Sequence, residues 1–246
     1  MTLAPATLDV ADGYWAAFLG VAREDLRPAA PLAVPHGEGL ADYRGMYAQS
    51  FGAAPVVSLP AGLLERFGAP AAEQAGRGLV DDERWRAVFG ARMDVVVGPA
   101  ALAYADSGTL ADPDVEVVAR RLGEADRAAL DGLRHAVPAL AWDHGGSQLG
   151  EETPVVGVFV EGVLAAAAGY EVWGGRIAHL AIATHPAHRG RGLGAAAVAI
   201  AARMALGAGL VAQYRALQSN THSLSIARRL GFVPYATSLA VRLRDA

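Results

Sequence analysis

Residues 177–194 read IAHLAIATHPAHRGRGLG. The first part, 177–184, is an apolar run of strand length with His179 inside it. Pro186 interrupts it, and the chain then turns through Arg189-Gly190-Arg191-Gly192-Leu193-Gly194 into an Ala-rich stretch of helical periodicity. Glycines in such a turn let backbone N–H groups approach a ligand closely, because no Cβ stands in the way. The helix start adds unpaired N–H donors and the positive end of the peptide dipoles. Strand, glycine-rich turn and helix start together read as an anion site, for a phosphate or pyrophosphate.

Three phosphate ligands compete for that turn. A nucleotide P-loop needs a Lys after its last glycine. The sequence has no Lys at all, so that reading fails. A dinucleotide site needs an acidic residue about 20 positions on to hold a ribose. Residues 210–213 supply none, and the strands before the turn read as antiparallel hairpins rather than strand–helix–strand units. The third candidate is an acyl-coenzyme A.

Composition narrows the classes further. The 246 residues are 53% hydrophobic and 19% charged, enough for one large or two small packed domains. A net charge of −4 and a pI near 6.0 give no sign of a nucleic-acid surface. The absence of Cys excludes disulfides, thiolate catalysis and Cys-ligated zinc. The N-terminal stretch has no basic segment leading into an apolar run, so no signal peptide is expected, and no apolar run reaches membrane-spanning length. A cytoplasmic protein of a GC-rich bacterium is expected, because Arg replaces Lys throughout and Ala and Gly abound.

Outward from the turn, residues 154–161 and 163–172 form a hairpin across Glu161-Gly162, and 174–175 join it to the strand 177–184. A helix is expected from 192 to about 206, ended by Gly207 and Gly209. A strand at 210–217 follows, then a helix opened by Ser219-Asn220-Thr221 and stopped at Gly231, and a last strand at 232–243. Upstream, 115–122 reads as a strand, 124–135 as a helix and 137–153 as irregular. The polar segment 107–114 is the expected domain boundary, giving domains 1–112 and 113–246. In the first half a helix is expected at 9–21, then strands at 31–36, 43–51 and 55–59 joined by hairpins. A short helix stopping at Gly68, a loop at 69–78, a helix capped by Asp81 or Asp82 and ending at Phe89, and a strand at 94–105 complete it.

The second half resembles the GNAT superfamily of N-acetyltransferases. That family's loop reads [Q/R]-x-x-G-x-[G/A], and Arg189 to Gly194 fits every fixed position, with Thr184-His185-Pro186 as the run-in. Asn220 and Leu230-Gly231-Phe232 resemble later family elements in the same order. The resemblance spans about 115–243. It implies an α/β fold with a mixed, mostly antiparallel sheet flanked by helices, preceded by a smaller α/β domain that echoes the same order as a degenerate copy.

The resemblance also implies a function: direct transfer of acetyl from acetyl-CoA to a primary amine of a small molecule, in one ternary complex and without a metal. The coenzyme pyrophosphate would lie on Arg189, Gly190, Arg191, Gly192, Leu193, Gly194 and Ala195. Its arm would pair with Ile182, Ala183 and Thr184, with Asn220 and Ser223 close to it. The Ile182 N–H would hold the thioester oxygen. The acid–base groups depart from the family. The usual glutamate falls at Ala178 and the usual tyrosine at Ala227, which leaves His179, Glu171 or Asp143 as bases, or water with no dedicated base, and Ser223, His222 or Tyr214 as acids, or a thiolate that leaves unassisted. Those gaps keep two alternatives open: a non-catalytic acyl-CoA-binding module, and an acyltransferase using another acyl group or a protein N-terminus. A monomer or homodimer is expected, without nucleic-acid or membrane partners. His185 and His188 read as surface loop residues rather than metal ligands, and Arg228 and Arg229 as a solvated pair near a possible ribose phosphate. Trp142, Tyr170 and Trp173 read either as pocket walls or as packing.

Overall fold

A computed structural model describes residues 1–80, 82–150 and 153–244. In chain order the elements are α1 (Pro5–Leu19), β1 (Leu32–Pro35), β2 (Gly45–Ser50), β3 (Val56–Leu59), α2 (Ala61–Gly76), α3 (Asp82–Phe89), β4 (Met93–Ala105) and β5 (Ala119–Arg121). They continue with α4 (Arg127–Ala136), α5 (Ala139–Gly145), β6 (Val155–Val160), β7 (Val163–Trp173), β8 (Ile177–Thr184), α6 (Leu193–Gly207), β9 (Val211–Leu217), α7 (Thr221–Arg229) and β10 (Val233–Leu243).

The chain forms two compact units that interleave along the sequence. One comprises Met1–Thr7, Ala103–Arg215 and Thr221–Val233; the other comprises Leu8–Leu102, Ala216–Asn220 and Pro234–Ala246. Each half expected from the sequence therefore contributes to both units.

In the first unit the strand order is β9-β8-β7-β6-β5. The pairs β5/β6, β6/β7 and β7/β8 are antiparallel, and β8/β9 is parallel. The β6–β7 hairpin turns on Glu161 (φ 50°) and Gly162 (φ 81°), two left-handed residues in succession, which matches the twist of the flanking strands. A parallel pair needs a long crossover, and α6 supplies it. Its small residues pack flat against the sheet: Ala196, Ala197, Val198, Ala199, Ala201, Ala202 and Ala205 are fully buried. On the other face, Leu133 of α4 and Trp142 of α5 join Val155, Leu164, Ala167, Ala181 and Ala183 in one apolar cluster. Asp106 ties the N-terminus into this unit by accepting from the Ala4, Gly108 and Thr109 N–H groups and the Thr7 hydroxyl.

In the second unit the order is β1-β3-β2-β10-β4. Helices α2 and α3 cover it through Phe67, Ala71, Ala75, Trp85 and Phe89, packed on Met46, Val57, Leu59, Leu239 and Val241. β10 pairs antiparallel with β2, from Thr237 against Ser50 to Arg242 against Gly45.

Several expectations need correction. β1 and β2 do not form a hairpin; β1 runs parallel to β3, and only β2 and β3 pair as one. The helix expected to stop at Gly68 continues through Pro70 to Gly76, because Phe67, Ala71, Ala72 and Ala75 bury one continuous face. That burial overrides the local break signal. The expected strand at 115–122 shrinks to β5, and the irregular stretch after 137 contains α5. The proposed cap Asp81 lies outside the described residues. The other elements agree to within a few residues at their ends.

Candidate active site

The strand β8 decides which backbone groups are available for a ligand. The His185 N–H donates to the Ala165 carbonyl at 2.9 Å, which makes 165/185 a hydrogen-bonded antiparallel pair. Pairs of that kind recur every second residue, so Ala183, Ala181 and His179 direct their backbone groups to β7. Leu180, Ile182 and Thr184 direct theirs to the opposite side, toward β9. The Val211 N–H bonded to the Arg176 carbonyl at 2.9 Å confirms this parity.

The ladder with β9 is short. It runs from Ile177/Val211 to His179/Gln213, whereas β8 continues to Thr184 and β9 to Leu217. The two strands thus part beyond the ladder, and the Ile182 and Thr184 backbone groups face the gap. Gly145 of α5 borders the same gap, since a Cβ there would stand 2.9 Å from the Ile182 carbonyl oxygen.

The glycine-rich turn follows directly. Gly190 (φ 76°) and Gly192 (φ 78°) are left-handed, and Gly192 is the N-cap of α6. Its carbonyl accepts the Ala196 N–H at 3.0 Å, so the N–H groups of the residues ahead of Ala196 lie in the open first turn of the helix. A Cβ on Gly194 would lie 2.6 Å from Thr184 Oγ1 and 3.2 Å from Ile182 Cδ1. Gly194 therefore lets the helix start sit directly on the end of β8.

The run-in is braced by its own side chains. His185 Nδ1 accepts the Ala187 N–H at 3.2 Å, capping a 3-10 turn over Pro186–His188. His188 Nδ1 accepts from the Arg191 guanidinium at 3.0 Å, and the two imidazoles meet edge to face. Both histidines thus shape the loop. Among the described residues, no group of three or more His, Asp or Glu is placed to hold a metal ion. Arg189 and Arg191 are exposed beside the turn.

Register places Glu171 of β7 directly opposite His179 of β8, on the face that carries the α4–α5 cluster. His179 is buried and lies under Trp173, with ring centroids 3.9 Å apart and planes 12° from parallel. Its Nδ1 meets Gln213 Oε1 at 2.7 Å, and Gln213 Nε2 donates to the Tyr104 hydroxyl at 2.7 Å. With the amide so oriented, Nδ1 carries the proton and Nε2 the lone pair. Burial pushes the His179 pKa down to about 4, against the opposing effect of the Gln213 hydrogen bond, so the ring is neutral near pH 7. Glu171 is exposed and accepts the Trp173 indole N–H at 3.2 Å.

The remaining candidates separate clearly. Tyr214, buried, shares a 2.8 Å hydrogen bond with Ser223, and burial raises the phenol pKa. Asp143, His222, Arg228 and Arg229 are exposed. Trp142 is a core residue of the α4–α5 cluster, and Tyr170 is buried. Asn220 donates its backbone N–H to the Leu217 carbonyl immediately before α7. Ala178 is fully buried on the α6 face, where strand alternation gives a side chain no route to the Glu171–His179 face. Sequence reasoning missed Gln213 and Tyr104 as the partners that fix the His179 tautomer. The available signal was Gln213 within the mostly apolar strand Val211–Leu217.

Comparison with known proteins adds independent findings. Residues 126–232 match the family model described as Acetyltransferase (GNAT) family. No curated protein matches the chain. Among solved structures, the chain is similar to a GNAT-family protein from Novosphingobium aromaticivorans (25% identity, 63% of this chain and 68% of that one, TM-score 0.47). It is also similar to an acetyltransferase from the GNAT family of Colwellia psychrerythraea (15% identity, 65% and 61%, TM-score 0.49). A third is a GCN5-related N-acetyltransferase from Kribbella flavida (24%, 62% and 60%, TM-score 0.48). The chain spans less than two thirds of the latter two.

Proposed function

We propose that the protein transfers an acetyl group from acetyl-CoA to a primary amine of a small molecule, a reading supported by the match of residues 126–232 to the GNAT acetyltransferase family model. The parting of β8 from β9 beside a left-handed Gly190/Gly192 turn is the observation that carries this reading. It leaves strand amides and helix-start amides adjoining one another, as a long ligand with a pyrophosphate at one end requires.

In this reading, the N–H groups from Gly190 to Ala195, with Arg189 and Arg191, hold the pyrophosphate. The backbone of Ile182 to Thr184 takes the pantetheine amides. The Ile182 N–H holds the thioester oxygen and stabilises its negative charge as the amine attacks. Glu171 receives the proton that the attacking nitrogen loses, through one water. The C–S bond then breaks and sulfur leaves as thiolate, which needs less proton assistance than an amine would. Ser223, hydrogen-bonded to Tyr214, supplies the hydroxyl for its protonation. His179, buried under Trp173 and held by Gln213, shapes the acceptor side, whereas the exposed Glu171 is open to the water that carries the proton.

The test is calorimetric titration with acetyl-CoA together with thiol release over a panel of amines. Saturable binding with amine-dependent thiol release is expected. Binding without release from any acceptor would favour a non-catalytic acyl-CoA-binding module, the reading that Ala178 and Ala227 keep in play. Absence of binding would overturn both.

A further inference from the structure

The second unit holds a cavity of about 470 Å³ at the end of its sheet where β3 passes into α2. Three arginines line it, each from a different strand end: Arg44 before β2, Arg92 before β4 and Arg244 after β10. Backbone hydrogen bonds bring these ends together. The Leu243 N–H donates to the Arg44 carbonyl at 3.0 Å, and the Arg244 N–H to the Arg92 carbonyl at 2.8 Å. Leu63 and Leu243 also line it.

The charges are unequally matched. Arg244 donates to Asp94 at 3.1 Å, and Arg44 has an interaction of its own. Arg92 is half-buried, and its guanidinium has no carboxylate partner among the described residues. The carboxylate on the cavity wall, Asp42, is exposed. A half-buried cation without a counter-charge is costly, and an anion entering the cavity removes that cost.

We propose that this cavity binds a small organic phosphate. Guanidinium forks arriving from three strand ends suit a tetrahedral dianion with three free oxygens better than a flat carboxylate with two. Leu63 and Leu243 then contact the ligand's carbon body. The volume falls within the usual range for small-molecule sites, roughly 300–1,000 Å³. The site lies wholly within the second unit and owes nothing to the reading of the glycine-rich turn.

The experiment is calorimetric titration of the full chain with phenyl phosphate. Saturable binding is expected, displaced by inorganic phosphate and tighter than for benzoate. Arg92→Gln should weaken it about tenfold or more, whereas Gly192→Asp, in the turn of the other unit, should leave it unchanged. Where Arg92→Gln fails to melt cooperatively, Arg244→Gln on an exposed side chain carries the same comparison. No saturable binding, equal affinity for benzoate, equal affinity in a folded arginine variant, or loss in Gly192→Asp would each overturn the proposal.

Discussion

Single residues carry the sharpest consequences. Gly192 is left-handed, and a Cβ there would stand 3.0 Å from both Val115 methyl groups. Gly192→Asp adds to that strain a carboxylate at the helix start. It is expected to abolish measurable acetyl-CoA binding, while Gly192→Ala, with the strain but no charge, loses less; equal affinities in calorimetry would refute the loop assignment. Asp106 is a second case. Burial pushes its carboxyl pKa up, yet hydrogen bonds from Ala4, Gly108, Thr7 and Thr109 outweigh burial and hold it below its ordinary value. A depressed carboxylate pKa stabilises the fold above the unfolded value, near 3.8, and that contribution disappears as pH falls through the folded one. Asp106→Asn should therefore melt earlier at neutral pH, and the gap to the unaltered protein should close below about pH 4. His179 works with the opposite charge. Its folded pKa, about 4, lies below the unfolded 6.5, so the unfolded chain binds the extra proton between those values. Stability is expected to fall as pH drops from about 6.5 to about 4, and thermal melts of His179→Gln should show a flatter profile across that window.

At the scale of elements, α6 is set by small side chains. Its alanines let the helix approach β7 and β8 closely enough for Gly194 to reach Thr184 and Ile182. Ala201→Leu would force extra methyl groups into a fully buried position and should cost about 1–3 kcal/mol in denaturant unfolding. Gly231 ends the turn after α7 with φ 77°, and a Cβ there would stand 2.0 Å from the Thr109 carbonyl oxygen. This contact is why Gly231 in the Leu-Gly-Phe signature has structural force, and Gly231→Ala is expected to destabilise by about 2 kcal/mol or more. The parting of β8 and β9 also belongs to this scale. The sequence does not mark where the ladder stops: β8 remains apolar past it, and β9 runs on through Tyr214-Arg215-Ala216-Leu217 as an uninterrupted strand.

For the whole molecule, the interleaving of the two units is decisive. The unit containing the glycine-rich turn also uses Met1–Thr7 and the segment around Asp106. β10, read from the sequence as the end of the second half, contributes nearly its whole length to the other unit by pairing with β2. Residues 113–246 expressed alone should therefore lack a cooperative melt, whereas the full chain shows one. A stable, coenzyme-binding 113–246 fragment would show that the second half is self-sufficient. Among the described residues no helix is long and apolar enough to cross a membrane.

What the sequence determined by itself is what local chemistry encodes. The Arg189–Gly194 pattern specifies a left-handed turn and a helix start, Glu161-Gly162 specifies a primed hairpin turn, and the absence of Lys removes the nucleotide P-loop. These readings need only residues adjacent along the chain. The tertiary structure decided what depends on distant segments. It ran α2 through Gly68 and Pro70 because a buried face outweighed two helix breakers. It set β1 beside β3 rather than β2, which no turn residue announces. It also committed His179 to Gln213 and Tyr104, since burial and a hydrogen bond from another strand, not the imidazole's own position in the sequence, fix its proton and its charge.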